Sequence, residues 1–205
     1  MLYKEYEPEV LKKLQRAEVE ILKDFDALCQ KHNIDYFVCG GTAIGGVRHQ
    51  GFIPWDDDID LGMTREHYEH FLEVAEQEYG ERYKIMNADT NPDFPVTLTK
   101  WYRTGTVFRN EEMIDLGLHI GIAIDIFCFD NVADELPKFR RQAMRAWTWG
   151  KLMVLRQVGE PNIYVEGWKA KLTLLVAKLA HWGLKALHFS PKFLYGRAMK
   201  AATQY

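Results

Sequence analysis

The chain has 205 residues, 47% hydrophobic and 27% charged, the mixture of an ordinary globular protein with enough length for a sizeable core. Its 26 basic and 29 acidic side chains leave a net charge of −3, so no general positive field draws in polyanions and no nucleic-acid partner is expected. Cys29, Cys39 and Cys128 form no C-x-x-C pair, which speaks against a zinc ribbon or disulfide framework and for a reducing, cytoplasmic setting.

The opening MLYKEYEPEV carries acids rather than an apolar stretch, unlike a signal peptide. Residues 8–32 read as an amphipathic helix, with Leu11, Leu14, Ile21, Leu22, Phe25 and Leu28 at spacings of three, four and seven. Asn33 is its expected stop. The short β-branched and aromatic run 34–39 predicts a strand. Gly40-Gly41 turns the chain, and Thr42 is placed to cap a short helix through Arg48. After a loop over 49–54, the acid–apolar alternation of 57–62 has the period of a strand. A helix over 64–79, strands near 83–86 and 96–102, and a hairpin partner at 107–109 follow. Residues 120–129 (IGIAIDIFCF) form the most strand-like run. A turn at 130–135 leads to helices at 138–157 and 166–188. This order predicts an α/β (α+β) core of mixed sheet and flanking helices over 1–136, with a helical region over 137–205. No run of about 18 uncharged apolar residues suggests a membrane span.

Asp56-Asp57-Asp58-Ile59-Asp60 places four acids in five residues. On a strand, Asp58 and Asp60 share one face while Ile59 and Leu61 enter a core. Two carboxylates so close repel each other unless a cation sits between them. Oxygen ligands alone suit Mg²⁺ or Mn²⁺ rather than zinc. Asp56 and Asp57 read as flanking groups. An EF-hand starting at Asp56 fails, because glycine and glutamate are needed where Leu61 and His67 stand. The Asp-x-Asp of a glycosyltransferase acting on nucleotide-sugars fits Asp58-Ile59-Asp60 and stays open. Glycines 40 and 41, between strand and helix, let backbone N–H groups approach phosphate closely. Asp125, alone in an apolar strand, must be neutral, paired (an arginine is one candidate) or bound to metal. If its strand lies beside that of Asp58, three acids converge as two-metal phosphoryl transfer requires.

The run from Cys39 to Met63, CGGTAIGGVRHQGFIPWDDDIDLGM, with the later Ile124-Asp125-Ile126-Phe127, resembles the signature of the LicD family, which includes bacterial phosphorylcholine transferases and is related to the fukutins. The resemblance covers roughly residues 20–130 and implies a nucleotidyltransferase-like fold. It implies Asp58, Asp60 and Asp125 as metal ligands and catalytic acids, with Gly40 and Gly41 as phosphate cradle and Mg²⁺ or Mn²⁺ as cofactor. It also implies a CDP-activated donor of a phospho-substituent, and a hydroxyl of a glycan or lipid-linked sugar as acceptor. Family members run on to a Tyr-Gly-Asp element, for which Tyr195-Gly196-Arg197 is a poor substitute. A truncated or divergent member is the expectation. A non-catalytic nucleotide- or metal-binding module is the reading from another class.

Arg48, Lys100 and Arg103 are the cations nearest the motifs and the candidates, with Thr42, for binding donor phosphate. Arg48 has the alternative of an ion pair with Asp56 or Asp57. His49 reads as a loop residue and Trp55 as an anchor of its loop in the core. Lys171, Lys178 and Lys185 recur every seven residues, with His181 and His188 nearby, in an otherwise apolar segment. The expectation is a largely buried helix. The sharper alternative is contact with another subunit or, through 166–188, with the inner face of a membrane.

Overall fold

The structure is a computed structural model and describes residues 6–108, 113, 115–161, 163 and 165–205. The chain forms two compact units, one from residues up to Asn87 together with Leu98–Phe129, the other from Ala88–Thr97 together with Asp130–Tyr205.

The first unit begins with α1 (Pro8–His32), entered through a proline in its first turn and closed by Asn33 in the left-handed conformation. Then come β1 (Phe37–Val38), α2 (Gly40–His49), β2 (Asp60–Thr64), α3 (Arg65–Tyr79), β3 (Tyr83–Met86), β4 (Thr99–Arg103) and β5 (Ala123–Phe129). The strands make one mixed sheet in the order β1-β2-β5-β4-β3. The β2–β5 pair is parallel and the other three pairs are antiparallel. Alternation along the strands sends Ile59, Leu61 and Met63, Trp101, and Ile124 and Ile126 to one face. There Ile21, Phe25 and Leu28 of α1 and Phe71 and Val74 of α3 close the core over them. Tyr83 stacks on Trp101 at 4.1 Å between ring centroids.

Several bounds differ from expectation for one reason: a ladder exists only where a partner strand is present. The acid–apolar alternation starts at residue 57, but β2 starts at Asp60, where its pairing with Asp125 begins. The strand expected over 34–39 pairs only at Phe37 and Val38. Phe108 forms a single bridge to Ile120 rather than a hairpin strand; Arg109, also assigned to that strand, lies outside the described residues. Trp55, expected in the core, is 73% exposed.

The second unit holds α4 (Leu136–Gln157), α5 (Gly167–Ala186) and α6 (Pro191–Ala202). Ser190 caps α6 by accepting the Phe193 N–H at 3.1 Å. Met153 and Leu194 pack with Ala88. Gln142, buried, ties three backbone groups together: its amide donates to the carbonyls of Asn131 and Ala202 at 2.9 and 2.8 Å, and its oxygen accepts the Ala133 N–H. α5 is not the largely buried helix expected. Ala177, His181 and Leu184 are its buried residues, while Trp168 and Trp182 are 70% and 67% exposed. His181, close to Lys178 and Lys185 in the sequence, turns inward, within 2.9 Å of the Leu155 carbonyl.

Candidate metal centre and active site

The site is built on the face of the sheet opposite the core. Asp60 of β2 and Asp125 of β5 are direct partners in the parallel ladder, and Lys100 of β4 is the partner of Asp125 on its other side. Paired residues present their side chains to the same face, so two acids and a lysine form a row across three strands. Lys100 Nζ donates to Asp125 Oδ1 at 2.5 Å. Asp125, 8% exposed, thus meets the cost of burial with a lysine rather than an arginine. Arg103 points the other way: it shares the face of Trp101, and its charge acts on Tyr83. The structure therefore does not bring Arg103 to the acids.

The start of α2 lies against this row. Gly40 has φ +53°, and a Cβ there would stand 2.4 Å from Asp60 Oδ2; a Cβ on Gly41 would stand 2.6 Å from Asp56 Oδ2. Only glycine lets both carboxylates come this close to the turn. The Gly41 N–H hydrogen-bonds Asp60, so the helix start expected to cradle phosphate already holds an acid. Thr42 does not cap its own helix; its hydroxyl accepts the Asp60 N–H at 2.8 Å. Arg48 stands exposed in the last turn of α2, about 12 Å of helix from Gly40.

Asp58 precedes β2 in an extended turn. Among the described residues, the three acids whose carboxylate oxygens all lie within 4.8 Å of one another are Asp56, Asp57 and Asp58. Asp56 and Asp57, read as flanking groups, thus stand directly beside Asp58. Burial first, then Asp60, Asp56, Asp125 and Asp57, push the Asp58 carboxyl up to about 7. Asp60 is raised by burial, Asp125 and Asp56, against Lys100 and the Gly41 N–H. Asp56 is raised by burial and Asp57, while a hydrogen bond with Asp58 opposes the shift.

One buried acid near the site escaped sequence reasoning. Glu18 of α1 is 2% exposed, and burial, then Asp58, Asp57 and Asp125, push its carboxyl up to about 9. Its neighbour Gln15 holds the turn directly, with its amide donating to the Asp56 carbonyl at 2.9 Å. The signal was the gap of seven between Leu14 and Ile21: position 18 falls on the buried stripe. Glu18 Oε2 and Asp56 Oδ2 are buried and have no hydrogen-bond partner. Clustered oxygen donors that repel one another fit a hard divalent cation, which Asp56, Asp57 and Asp58, with Asp60 and Asp125 on the paired strands, could hold.

Residues 33–138, just over half the chain, match the family described as LicD/FKTN/FKRP, nucleotidyltransferase domain. The chain is 38% identical over 129 residues to the lipopolysaccharide cholinephosphotransferase LicD of Haemophilus influenzae, covering 62% of this chain and 47% of that protein. It is 42% identical over 68 residues to an uncharacterised protein of Rickettsia typhi, covering 33% and 22%. An uncharacterised protein of Rickettsia prowazekii is 43% identical over 58 residues, covering 28% and 22%. The chain thus spans about half the length, or less, of these curated relatives. Gly40, Gly41, Asp58 and Asp60, gathered at the start of α2 and β2, lie within the matched stretch, and the chain belongs to the LicD/FKTN/FKRP family.

Proposed function

We propose that this chain transfers a phospho-substituent, phosphocholine or a phospho-polyol, from a CDP-activated donor to a hydroxyl of a cell-surface glycan or lipid-linked sugar. The observation that carries the proposal is the pairing of Asp60 with Asp125 beside the Asp56–Asp58 turn. The name of the Haemophilus relative supports the choice of substituent.

Asp58, Asp60 and Asp125 hold Mg²⁺ or Mn²⁺ in this reading. When bound, the cation supplies Lewis-acid charge to phosphoryl oxygens. The chain's own groups do the rest. Gly40 and Gly41 keep the start of α2 bare of side chains beside the acids, leaving room for a phosphate. Lys100 supplies positive charge for it, at the cost of loosening its hold on Asp125. The acceptor hydroxyl attacks the donor phosphorus, the P–O bond to CMP breaks, and the hydroxyl proton passes to a site carboxylate. CMP leaves. A glycosyltransferase needs the Asp-x-Asp but neither the paired Asp125 nor the bare helix start.

The test is Mg²⁺-dependent release of CMP from CDP-choline, CDP-glycerol and CDP-ribitol. One donor should turn over, and Asp58→Asn should lower the rate by about a hundredfold or more, the scale of losing several kcal/mol of charge stabilisation. Turnover of a nucleotide-sugar instead would favour the glycosyltransferase. Metal-dependent nucleotide binding without CMP release would favour the non-catalytic module.

A further inference from the structure

α5 has a surface that the proposed chemistry does not use. At 100° per residue, Trp168, Leu172, Leu175, Leu179 and Trp182 fall within about 40° of a single line along the helix. All five are more than half exposed, as is Val176 at the margin. Ala177, His181 and Leu184, on the opposite side, are the buried ones. The helix therefore packs by its narrow inner face and presents its most apolar face outward, the reverse of an ordinary surface helix.

Charge says what fits that face. Lys171, Lys178 and Lys185 run along one edge of the stripe and Lys169 marks the other, roughly 60–100° from its centre. The sequence of α5, GWKAKLTLLVAKLAHWGLKA, contains no Asp or Glu, in a chain whose net charge is −3. Lys178 meets Glu160 at 2.8 Å, but both side chains are about half exposed or more, and such a pair is readily exchanged for another anion. No helix among the described residues is long and apolar enough to cross a membrane. An apolar stripe ending in tryptophans and edged by lysines is the build of a helix that lies in the plane of an anionic bilayer. A second copy is a poorer fit, because a two-fold pairing of this face would set lysine edges against each other.

We propose that α5 docks the protein onto an anionic phospholipid surface through Trp168, Leu172, Leu175, Leu179 and Trp182, with Lys171, Lys178 and Lys185 on the headgroups. The surface uses none of the residues of the acidic site, so the proposal stands or falls independently of the reaction.

The test is co-sedimentation of the full chain with phosphatidylcholine vesicles, with and without about one third phosphatidylglycerol. Binding should be at least about tenfold tighter with the anionic lipid and weaken in salt. Tryptophan emission should shift to the blue and be quenched by brominated acyl chains. The variant L175Q/L179Q should lose binding while keeping its unfolding temperature, since both side chains are exposed. K171Q/K178Q/K185Q should lose the preference for phosphatidylglycerol, on the order of a hundredfold for three lysines. Three results overturn the proposal: no binding to either vesicle, undiminished binding of both variants, or a lipid-free dimer that L175Q/L179Q abolishes without any vesicle binding. If L175Q/L179Q fails to fold, the lysine variant and lipid quenching of the unaltered chain decide.

Discussion

Glu18 sits on the inward stripe of α1, where the helix would ordinarily carry leucine. Its folded carboxyl, at about 9, keeps a proton that the unfolded chain releases near 4.5. A raised folded value means stability is full below the unfolded value and is lost as pH rises toward the folded one. Glu18→Gln removes that loss. It should leave stability nearly unchanged at pH 4 and raise it by about 1–3 kcal/mol at pH 8, as read from urea unfolding at both values. A variant weaker than the parent at pH 8 would mean that the carboxyl has a partner it needs. The sequence hid this residue because a glutamate within a helix full of Lys, Glu and Gln looks solvated. Only its spacing from Leu14 and Ile21 says otherwise, and periodicity counts apolar matches, not polar residues at apolar positions.

At the scale of elements, the site depends on three strands keeping register. Lys100 and Asp125 are the pair most exposed to a single change, both side chains being less than a quarter exposed. Lys100→Met strands a buried carboxylate and should cost about 3 kcal/mol, measured by denaturant unfolding without metal; adding Asp125→Asn should return most of it. A loss that the second substitution does not repair would place the role of Lys100 in packing. The sequence made the elements themselves legible. The bounds 8–32 and 83–86 match α1 and β3 as observed, because apolar spacing and local stops are written within the segment. Thr42 and Arg103 were misplaced because their roles belong to neighbours: a strand's N–H claims the hydroxyl of Thr42, and the pleat decides the face of Arg103. α5 was misjudged for a related reason. A helix apolar over most of its circumference does not say which arc the rest of the chain covers.

For the whole molecule, the acids make stability a function of pH and, under the proposed function, of metal. The Asp58 carboxyl rises from 3.8 to about 7 on folding, so stability falls as pH climbs between those values. Glu18 extends the fall toward 9. Thermal unfolding of the metal-free protein should therefore drop by several degrees between pH 5 and 8, at roughly 2–4 °C per kcal/mol. Asp58→Asn should flatten the profile, and Mg²⁺ or Mn²⁺ should restore the parent at the alkaline end. A profile that is flat or rising in the parent would contradict the repulsion described. The acids of the site were readable at the sequence level one by one. Their convergence was not, because Asp60 and Asp125 meet only through a long-range parallel pairing that neither segment specifies alone.

That pairing divides the sheet into two halves, β1 with β2 and β5 with β4 and β3, and the two opposed carboxylates stand on its seam. Each half can close its own antiparallel contacts while the seam is still open. Such a half-built sheet would carry either Asp58 and Asp60 or Asp125, never the set. Under the proposed function, cation binding would then signal completion: a folding chain would gain it as the halves join, and a one-residue slip at the seam would abolish it by turning one acid into the core.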